Sequence, residues 1–354
     1  MSSHGSLPRI AVIGCGAAAR EFCLPVLRRF SDYRQRVVLV DISAEQAQST
    51  ARAFQIEHWC IDYRSLPLEV DAAMITTPHH WHAEQARHFL SQGLPVFVEK
   101  PLGMTEREAS SMTELASAKG AVLMVNNYRR LFPAYQRVRQ ILSTGELGSC
   151  RRVDIWDGTR FAWASASGFY LRDARARGVL LDRGAHTVDI LCWWLGGCPA
   201  VVSSRTDAMG GVEAVAKLEL AHQQTVIHLA FSRLERLRNY YELQCERGTI
   251  RGRLFDFSRL QIERNGKRER IQAGPMRSYA DWAWKLVTNF VQVVRGDERP
   301  IFEARDVAPS IGLLEQAYRQ AGSFAMPWYD ADPNVAALTR GDSAVSGADP
   351  GDRE

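Results

Sequence analysis

The sequence predicts an α/β protein in two parts: a doubly wound parallel sheet, then a second α/β unit built on a mostly antiparallel sheet. Three observations carry this reading. Short apolar runs alternate with helical stretches up to Asn126, the pattern of a parallel sheet covered on both faces. From Arg151 the runs lengthen and follow one another closely, which favours antiparallel pairing. The 354 residues, 46% of them hydrophobic, are enough for two cores of ordinary composition.

The first apolar run, Ile10-Ala-Val-Ile, enters Gly14-Cys-Gly16-Ala17-Ala18-Ala19 and then a helix. G-x-G-x-x-A in this setting permits a tight turn, close approach of a pyrophosphate to backbone, and close packing of helix on strand. The helix N-terminus adds free N–H groups and a favourable dipole. A second strand, Arg36-Val-Val-Leu-Val, closes on Asp41. An acid there suits the ribose hydroxyls of NAD and repels the extra phosphate of NADP, and neither Ile42 nor Ser43 supplies an arginine for that phosphate. NAD is therefore the expected cofactor and NADP the less favoured one.

The alternation continues with a helix ending near Gln55, a strand over Val70–Pro78 that brings Thr76, Thr77 and Pro78, and a helix over His82–Gln92. The strand Leu94–Val98 ends in Glu99-Lys100-Pro101; a helix over Glu106–Lys119 and a strand over Ala121–Asn126 follow. Charged residues at the carboxyl end of such a strand lie where open α/β sheets bind ligands, so Lys100 reads as a site residue. Asn127, at the edge of the last strand, reads either as a nicotinamide contact or as a turn residue.

Further on, Gly178 to Leu191 places Asp182, His186 and Asp189 at i, i+4 and i+7 among Val, Leu, Ile and Trp. On a helix they share one face. A carboxylate beside an imidazole is equipment for moving a proton near neutral pH, though a histidine hydrogen-bonded within a core fits the segment as well.

These motifs resemble the Gfo/Idh/MocA oxidoreductase family, which includes inositol and glucose-fructose dehydrogenases. The matching residues are Gly14-Cys-Gly16-Ala-Ala-Ala19, Thr77-Pro78 with His82 and Glu84, Glu99-Lys100-Pro101, and Asp182-Arg-Gly184-Ala-His186-Thr-Val-Asp189. The resemblance implies a Rossmann domain followed by an α/β domain on an open, mostly antiparallel sheet that carries the oligomer contacts of a dimer or tetramer. It assigns the catalytic positions to Lys100, Asp182 and His186, with Asp189 either supporting them or pairing with an arginine. It assigns cofactor contacts to Gly14, Gly16, Ala17, Ala18, Asp41, Thr76, Thr77, Pro78, His82, Glu99, Lys100 and Asn127. The implied activity is NAD(H)-dependent interconversion of a secondary alcohol and a ketone on a sugar, sugar derivative or cyclitol. Alternatives on the same fold are an NAD-using glycoside hydrolase-like enzyme and a non-catalytic sensor.

The segment before the site helix departs from the family's glycine-rich pattern and reads Tyr170-Leu-Arg172-Asp-Ala-Arg175-Ala-Arg177. With Arg151, Arg152, Arg160 and Arg183 it either builds a pocket for an anionic substrate or supplies surface arginines paired with Asp154, Asp157 and Asp173. Arg160 and Trp163 join Lys100, Asp182 and His186 as candidate substrate contacts, with Trp156, Phe161, Phe169 and Tyr170 as further aromatic faces. His79, His80 and His82 follow no established ligand spacing, and no metal is expected.

The dinucleotide-binding domain is expected over 1–126, the substrate and oligomerisation domain over 127–328, and a disordered tail over 329–354, where Ala, Gly, Asp, Ser and Pro predominate. Net charge is +4 without a lysine block, which points away from nucleic acid and membrane surfaces. Seven scattered cysteines with no C-x-x-C pair suit reduced thiols, and a short polar N-terminus suits a cytoplasmic protein.

Overall fold

The structure, a computed structural model, describes residues 6–161, 168–169, 173–208, 211–275 and 278–324. Six strands form the first sheet: β1 (Ile10–Ile13), β2 (Val37–Val40), β3 (His58–Cys60), β4 (Ala72–Ile75), β5 (Val96–Val98) and β6 (Leu123–Val125). All neighbours are parallel, in the order β3-β2-β1-β4-β5-β6. Every residue of β1, β2, β4, β5 and β6 is buried, which is why these strands read as unbroken apolar runs. Strand order reverses between β1 and β4, so a crevice opens at their carboxyl ends. The sequence did not announce β3, a three-residue edge strand of His, Trp and Cys that is only half-buried.

The second sheet runs β14-β13-β12-β11-β7-β10-β9-β8-β15. Its strands are β7 (Cys150–Gly158), β8 (Ala200–Thr206), β9 (Val215–His222), β10 (Thr225–Ser232), β11 (Tyr240–Cys245), β12 (Gly248–Arg253), β13 (Arg259–Arg264), β14 (Lys267–Gln272) and β15 (Ala321–Ser323). Only β7–β10 and β8–β15 are parallel; the other pairs are antiparallel, giving the mostly antiparallel sheet expected. Asn265-Gly266, a dipeptide that favours such a turn, forms a two-residue hairpin turn with both residues at positive φ (51° and 71°). β14 escaped notice because Lys-Arg-Glu-Arg is charged and exposed, without the alternation that marks a half-buried strand.

Helices over Pro133–Thr144, Val179–Leu195 and Ala308–Arg319 cover one face of this sheet. Ile227, Leu229 and Phe231 of β10 point into that layer, while Val226 on the other face is 50% exposed. The helix over Tyr279–Arg295 returns to the first sheet: Phe290 meets Phe97, and Trp282 stacks on Tyr128 with ring centroids 3.8 Å apart.

Two expectations are corrected. Glu303–Gly322, whose sequence predicts one helix, is instead a turn of 3-10 helix (Ala304–Asp306), a helix over Ala308–Arg319 and then β15. Pro309 belongs to a first helical turn, where its missing N–H costs nothing, and Ala321–Ser323 gains more by pairing with β8. The cysteines are not all thiols: Cys192 and Cys198 form a disulfide, with Cα atoms 4.5 Å apart. The helix ends at Leu195, and Gly196 in the left-handed region turns the chain back on its last turn, a proximity that spacing alone does not reveal. Among the described residues no helix is long and apolar enough to cross a membrane.

Candidate active site

The site begins at the glycine turn. Gly14 has φ +94°, and a Cβ there would lie 2.9 Å from the Thr76 backbone, so only glycine lets β1 and β4 close up. Thr76 seals the approach by donating its hydroxyl to Gly14 O at 2.7 Å and Ile13 O at 3.0 Å. A Cβ on Gly16 would meet nothing within 4 Å, so that backbone stays open to a ligand. Asp41 accepts from Cys15 N at 2.8 Å and from Ser43 N at 2.9 Å, tying the end of β2 to the turn.

These residues line a cavity of about 760 Å³ with Ala17, Ala18, Thr77, Pro78, Glu99, Lys100 and Phe169. Exposed Ile42 and Ile61, 93% and 57% accessible, lie on its wall and offer an apolar face for a flat ring. Arg64 also reaches this wall, but Glu84 accepts from it at 2.5 Å and from Tyr63 at 2.7 Å, so its charge is matched. Cavity size, the open Gly16 backbone and the Asp41 carboxylate fit a dinucleotide.

At the mouth stands Lys100, at the end of β5. Its Nζ donates to Asp182 Oδ1 at 2.6 Å and to Asp182 O at 3.0 Å, across 82 residues of sequence. Arg233 Nη2 lies 3.2 Å from the other Asp182 oxygen. Burial alone would raise the Asp182 carboxyl, yet Lys100 and Arg233 outweigh it and hold the group far below the usual carboxylate range. His186, one turn on, is 6% exposed, and its Nδ1 is buried with no hydrogen-bond partner among the described residues. Burial, then Lys100 and Arg129, pushes this imidazole well below its ordinary value, so it is neutral near pH 7.

Two buried ion-pair clusters hold the surroundings. Asp157, fully buried at the end of β7, accepts from both Arg129 nitrogens at 3.2 Å and from Thr187 at 3.1 Å, and it also pairs with Arg183. Burial opposes its charge, but the two arginines hold its carboxyl below the ordinary range. Asp189 takes a bidentate pair from Arg130, at 3.0 and 2.6 Å, while burial keeps its carboxyl raised. The site helix is capped from a distance: Val179 N donates to Glu213 O at 3.0 Å, Leu180 N to Glu213 Oε1 at 3.0 Å, and Leu181 N to the Tyr318 hydroxyl at 2.9 Å.

The candidate residues thus separate. Gly14, Gly16, Ala17, Ala18, Asp41, Thr76, Thr77, Pro78, Glu99 and Lys100 face one cavity, with Asp182 bonded to Lys100. His82 stands behind the wall, fully buried, with Nδ1 2.8 Å from Pro101 O and Nε2 2.9 Å from Thr77 O, so it braces the two strand ends. Asn127 is buried beside Asp189 rather than on the cavity wall. Asp189 takes the arginine-partner alternative. Arg160 is exposed and off the wall, and Trp163, Tyr170 and Arg172 lie outside the described residues.

Of the two readings of the arginines, the paired one holds at Arg152–Asp154, Arg175–Asp173 and Arg183–Asp157, while Arg151 pairs with Glu246. His79 packs edge-on against Phe169 at 5.5 Å, and among the described residues no three His, Cys, Asp or Glu side chains group as metal ligands. Sequence reasoning missed Arg233 and Glu213, which reach the site from the second sheet without any local signal. Asp157 was legible as an arginine partner, but its second arginine, Arg129, was not.

The parallel sheet, its glycine turn and the cavity at the strand reversal define a dinucleotide-binding Rossmann protein. A family model described as an oxidoreductase family with an NAD-binding Rossmann fold matches residues 8–127, and the model of the GFO/IDH/MocA C-terminal domain matches 135–251. The chain belongs to the Gfo/Idh/MocA oxidoreductase family. It is 31% identical over 189 residues to a putative UDP-kanosamine synthase oxidoreductase subunit of Amycolatopsis mediterranei, covering 53% of this chain and 52% of that one. The chain spans about half the length of this and two other curated relatives. Among solved structures it is similar to the 3-ketoreductase KijD10 of Actinomadura kijaniata with NADP and TDP-benzene (TM-score 0.77, 22% identity, 91% and 100% of the two chains). It is also similar to the WlbA dehydrogenase of Bordetella pertussis with NADH and UDP-GlcNAcA (TM-score 0.74, 20% identity, 89% and 95%). At these identities the structures establish the fold.

Proposed function

We propose that this protein is an NAD(H)-dependent oxidoreductase that interconverts a secondary alcohol and a ketone on a sugar, sugar derivative or cyclitol. One observation supports the reading: Lys100, on the wall of the dinucleotide-sized cavity, bonds Asp182, and His186, one helical turn on from Asp182, keeps a buried nitrogen with no hydrogen-bond partner among the described residues. The dinucleotide, held by the Gly14–Ala18 turn and Asp41, supplies the hydride acceptor or donor when bound. His186, neutral near pH 7, takes the hydroxyl proton during oxidation and returns it during reduction. Lys100 Nζ donates to the same substrate oxygen and stabilises its negative charge. Asp182 holds the ammonium in place, and Arg233 keeps Asp182 ionised. The buried Asp157 and Asp189 clusters fix the helix that presents these groups.

NAD is favoured over NADP because the Asp41 carboxylate lies on the cavity wall and Arg64 is already matched by Glu84. We assign residues 1–126 to dinucleotide binding and 127–328 to substrate and self-association. The open sheet face bearing Val226 and the partly exposed Trp156 is the homo-oligomer contact. The reading is tested by following NADH absorbance with purified protein, NAD or NADH, and a panel of inositols, aldoses, keto-sugars and sugar nucleotides. Reduction or oxidation with at least one member is expected. NAD binding without transfer to or from any of them would overturn it.

A further inference from the structure

A second cavity, of about 790 Å³, opens where the loop before β11 meets the chain leaving β12 and β14. Its wall includes Arg236, Arg238, Arg253 and Arg259, the amide of Asn239 and the ring of Phe255. Asp256 on the same wall pairs with Arg259 at 2.8 Å. Arg236, Arg238 and Arg253 make no ion pair among the described residues. Arg238 has aromatic neighbours instead, lying 5.7 Å from the Trp156 ring, which itself packs 5.8 Å from Tyr240. Arg251, two residues before Arg253 on the same strand, shows the contrast: Glu242 and Glu263 accept from it at 2.6 and 2.7 Å. Four guanidinium groups thus face one carboxylate here, in a chain whose whole net charge is +4. Such a concave cluster concentrates positive potential and suits a polyanion that takes forked hydrogen bonds.

Two features narrow the ligand. The volume lies within the roughly 300–1,000 Å³ range of small-molecule sites, far more than one phosphate needs. Phe255 is 38% exposed, a large apolar ring left at the wall of a cationic cavity, and a planar base stacks on such a ring.

The cavity wall also contacts residues that pack beside the site helix. The Arg129 guanidinium lies 5.8 Å from the Phe255 ring and clamps Asp157 and Thr187, the residue after His186. Asn239 Oδ1 accepts from Gly158 N at 2.8 Å, one residue beyond Asp157. The wall of the cavity is thus linked through Arg129 to Thr187, the neighbour of His186, and through Asn239 to the strand end that carries Asp157.

We propose that this cavity holds the nucleoside diphosphate of a sugar nucleotide, its pyrophosphate on the arginines and its base on Phe255, with the sugar directed toward Lys100 and His186. The last part rests on the oxidoreductase reading above. The test is calorimetric titration of NADH-saturated protein with UDP, TDP, inorganic pyrophosphate and glucose 6-phosphate, on the natural chain and on an Arg236→Ala, Arg253→Ala double variant. UDP or TDP should bind without displacing NADH and more tightly than either smaller phosphate. The double variant should lose at least about tenfold in that affinity while its NADH affinity is kept, which also shows that it is folded.

No binding of either nucleotide, competition with NADH, or equal affinity in the double variant would overturn the proposal. So would pyrophosphate or glucose 6-phosphate binding as tightly as UDP. A change in sedimentation of the double variant with nucleotide affinity intact would assign the arginines to a subunit interface instead. The two readings fail separately: hydride exchange with free sugars but no nucleotide binding refutes this cavity alone, and nucleotide binding with no exchange on any sugar refutes the oxidoreductase reading.

Discussion

Replacing Lys100 with methionine keeps the aliphatic stem and removes one ammonium, so it separates two roles that the geometry assigns to different residues. Lys100 Nζ spends its bonds on Asp182, at 2.6 and 3.0 Å, and Asp182 keeps Arg233 at 3.2 Å when the lysine is gone. The carboxylate is then not orphaned, and the stability cost should be about 1–2 kcal/mol, below the roughly 3–5 kcal/mol of breaking a buried pair outright. Losing one donor to the reacting oxygen should lower kcat about a hundredfold to a thousandfold, or roughly 3–4 kcal/mol of transition-state stabilisation. The glycine turn and Asp41 are held by their own bonds to Cys15, Ser43 and Thr76, so NADH affinity should stay within about threefold. Single-turnover kinetics on the substrate found in the panel, with a parallel NADH fluorescence titration, measure both quantities. A fall in kcat of less than about tenfold, or an equal loss in NADH affinity, would refute the division of labour.

Asp41→Asn keeps an acceptor for the turn but removes the charge that opposes a 2′-phosphate, so the NADP to NAD affinity ratio should rise about tenfold or more; an unchanged ratio in competition titrations would remove Asp41 from cofactor choice. Asp189→Asn breaks the bidentate buried pair with Arg130 and should cost about 3–5 kcal/mol in denaturant unfolding, with NADH affinity kept in the protein that remains folded. Acid should unfold the protein through its buried histidines. Burial lowers His82 to about 4 despite the nearby Pro101 and Thr77 carbonyls, so between pH 6.5 and about 4 the unfolded chain binds a proton that the folded chain refuses. Stability from His82 is full above pH 6.5 and declines by about 3 kcal/mol as pH falls through that window; urea midpoints that stay flat from pH 7 to about 4.5 would contradict this.

The legible features were those in which neighbours along the chain also act together. The G-x-G-x-x-A turn, the Glu99-Lys100-Pro101 strand end and the i, i+4 pair of Asp182 and His186 announce themselves because a turn, a strand terminus and a helix face are local geometry. Arginine partners were not legible, since a guanidinium can serve a ligand or a carboxylate and the choice depends on what the fold brings within reach. Arg183 pairs with Asp157, whereas Arg253, on the same strand as the doubly paired Arg251, makes no ion pair among the described residues. Cys192 and Cys198 meet for the same reason, through a helix end that turns back on itself.

The sequence by itself determined the parallel sheet, the glycine turn that opens it to a dinucleotide, a second and mostly antiparallel sheet, and the family of the chain. These follow from hydrophobic period and turn chemistry, which act over a few residues. Tertiary structure alone decided that Lys100 bonds Asp182, that Arg233 and Glu213 secure the site from the second sheet, and that His82 braces the wall instead of lining it. Those partners lie 19 to 82 residues apart in the chain. Charge and hydrogen bonding act through space, so they are settled only once burial has placed both partners and removed the water between them.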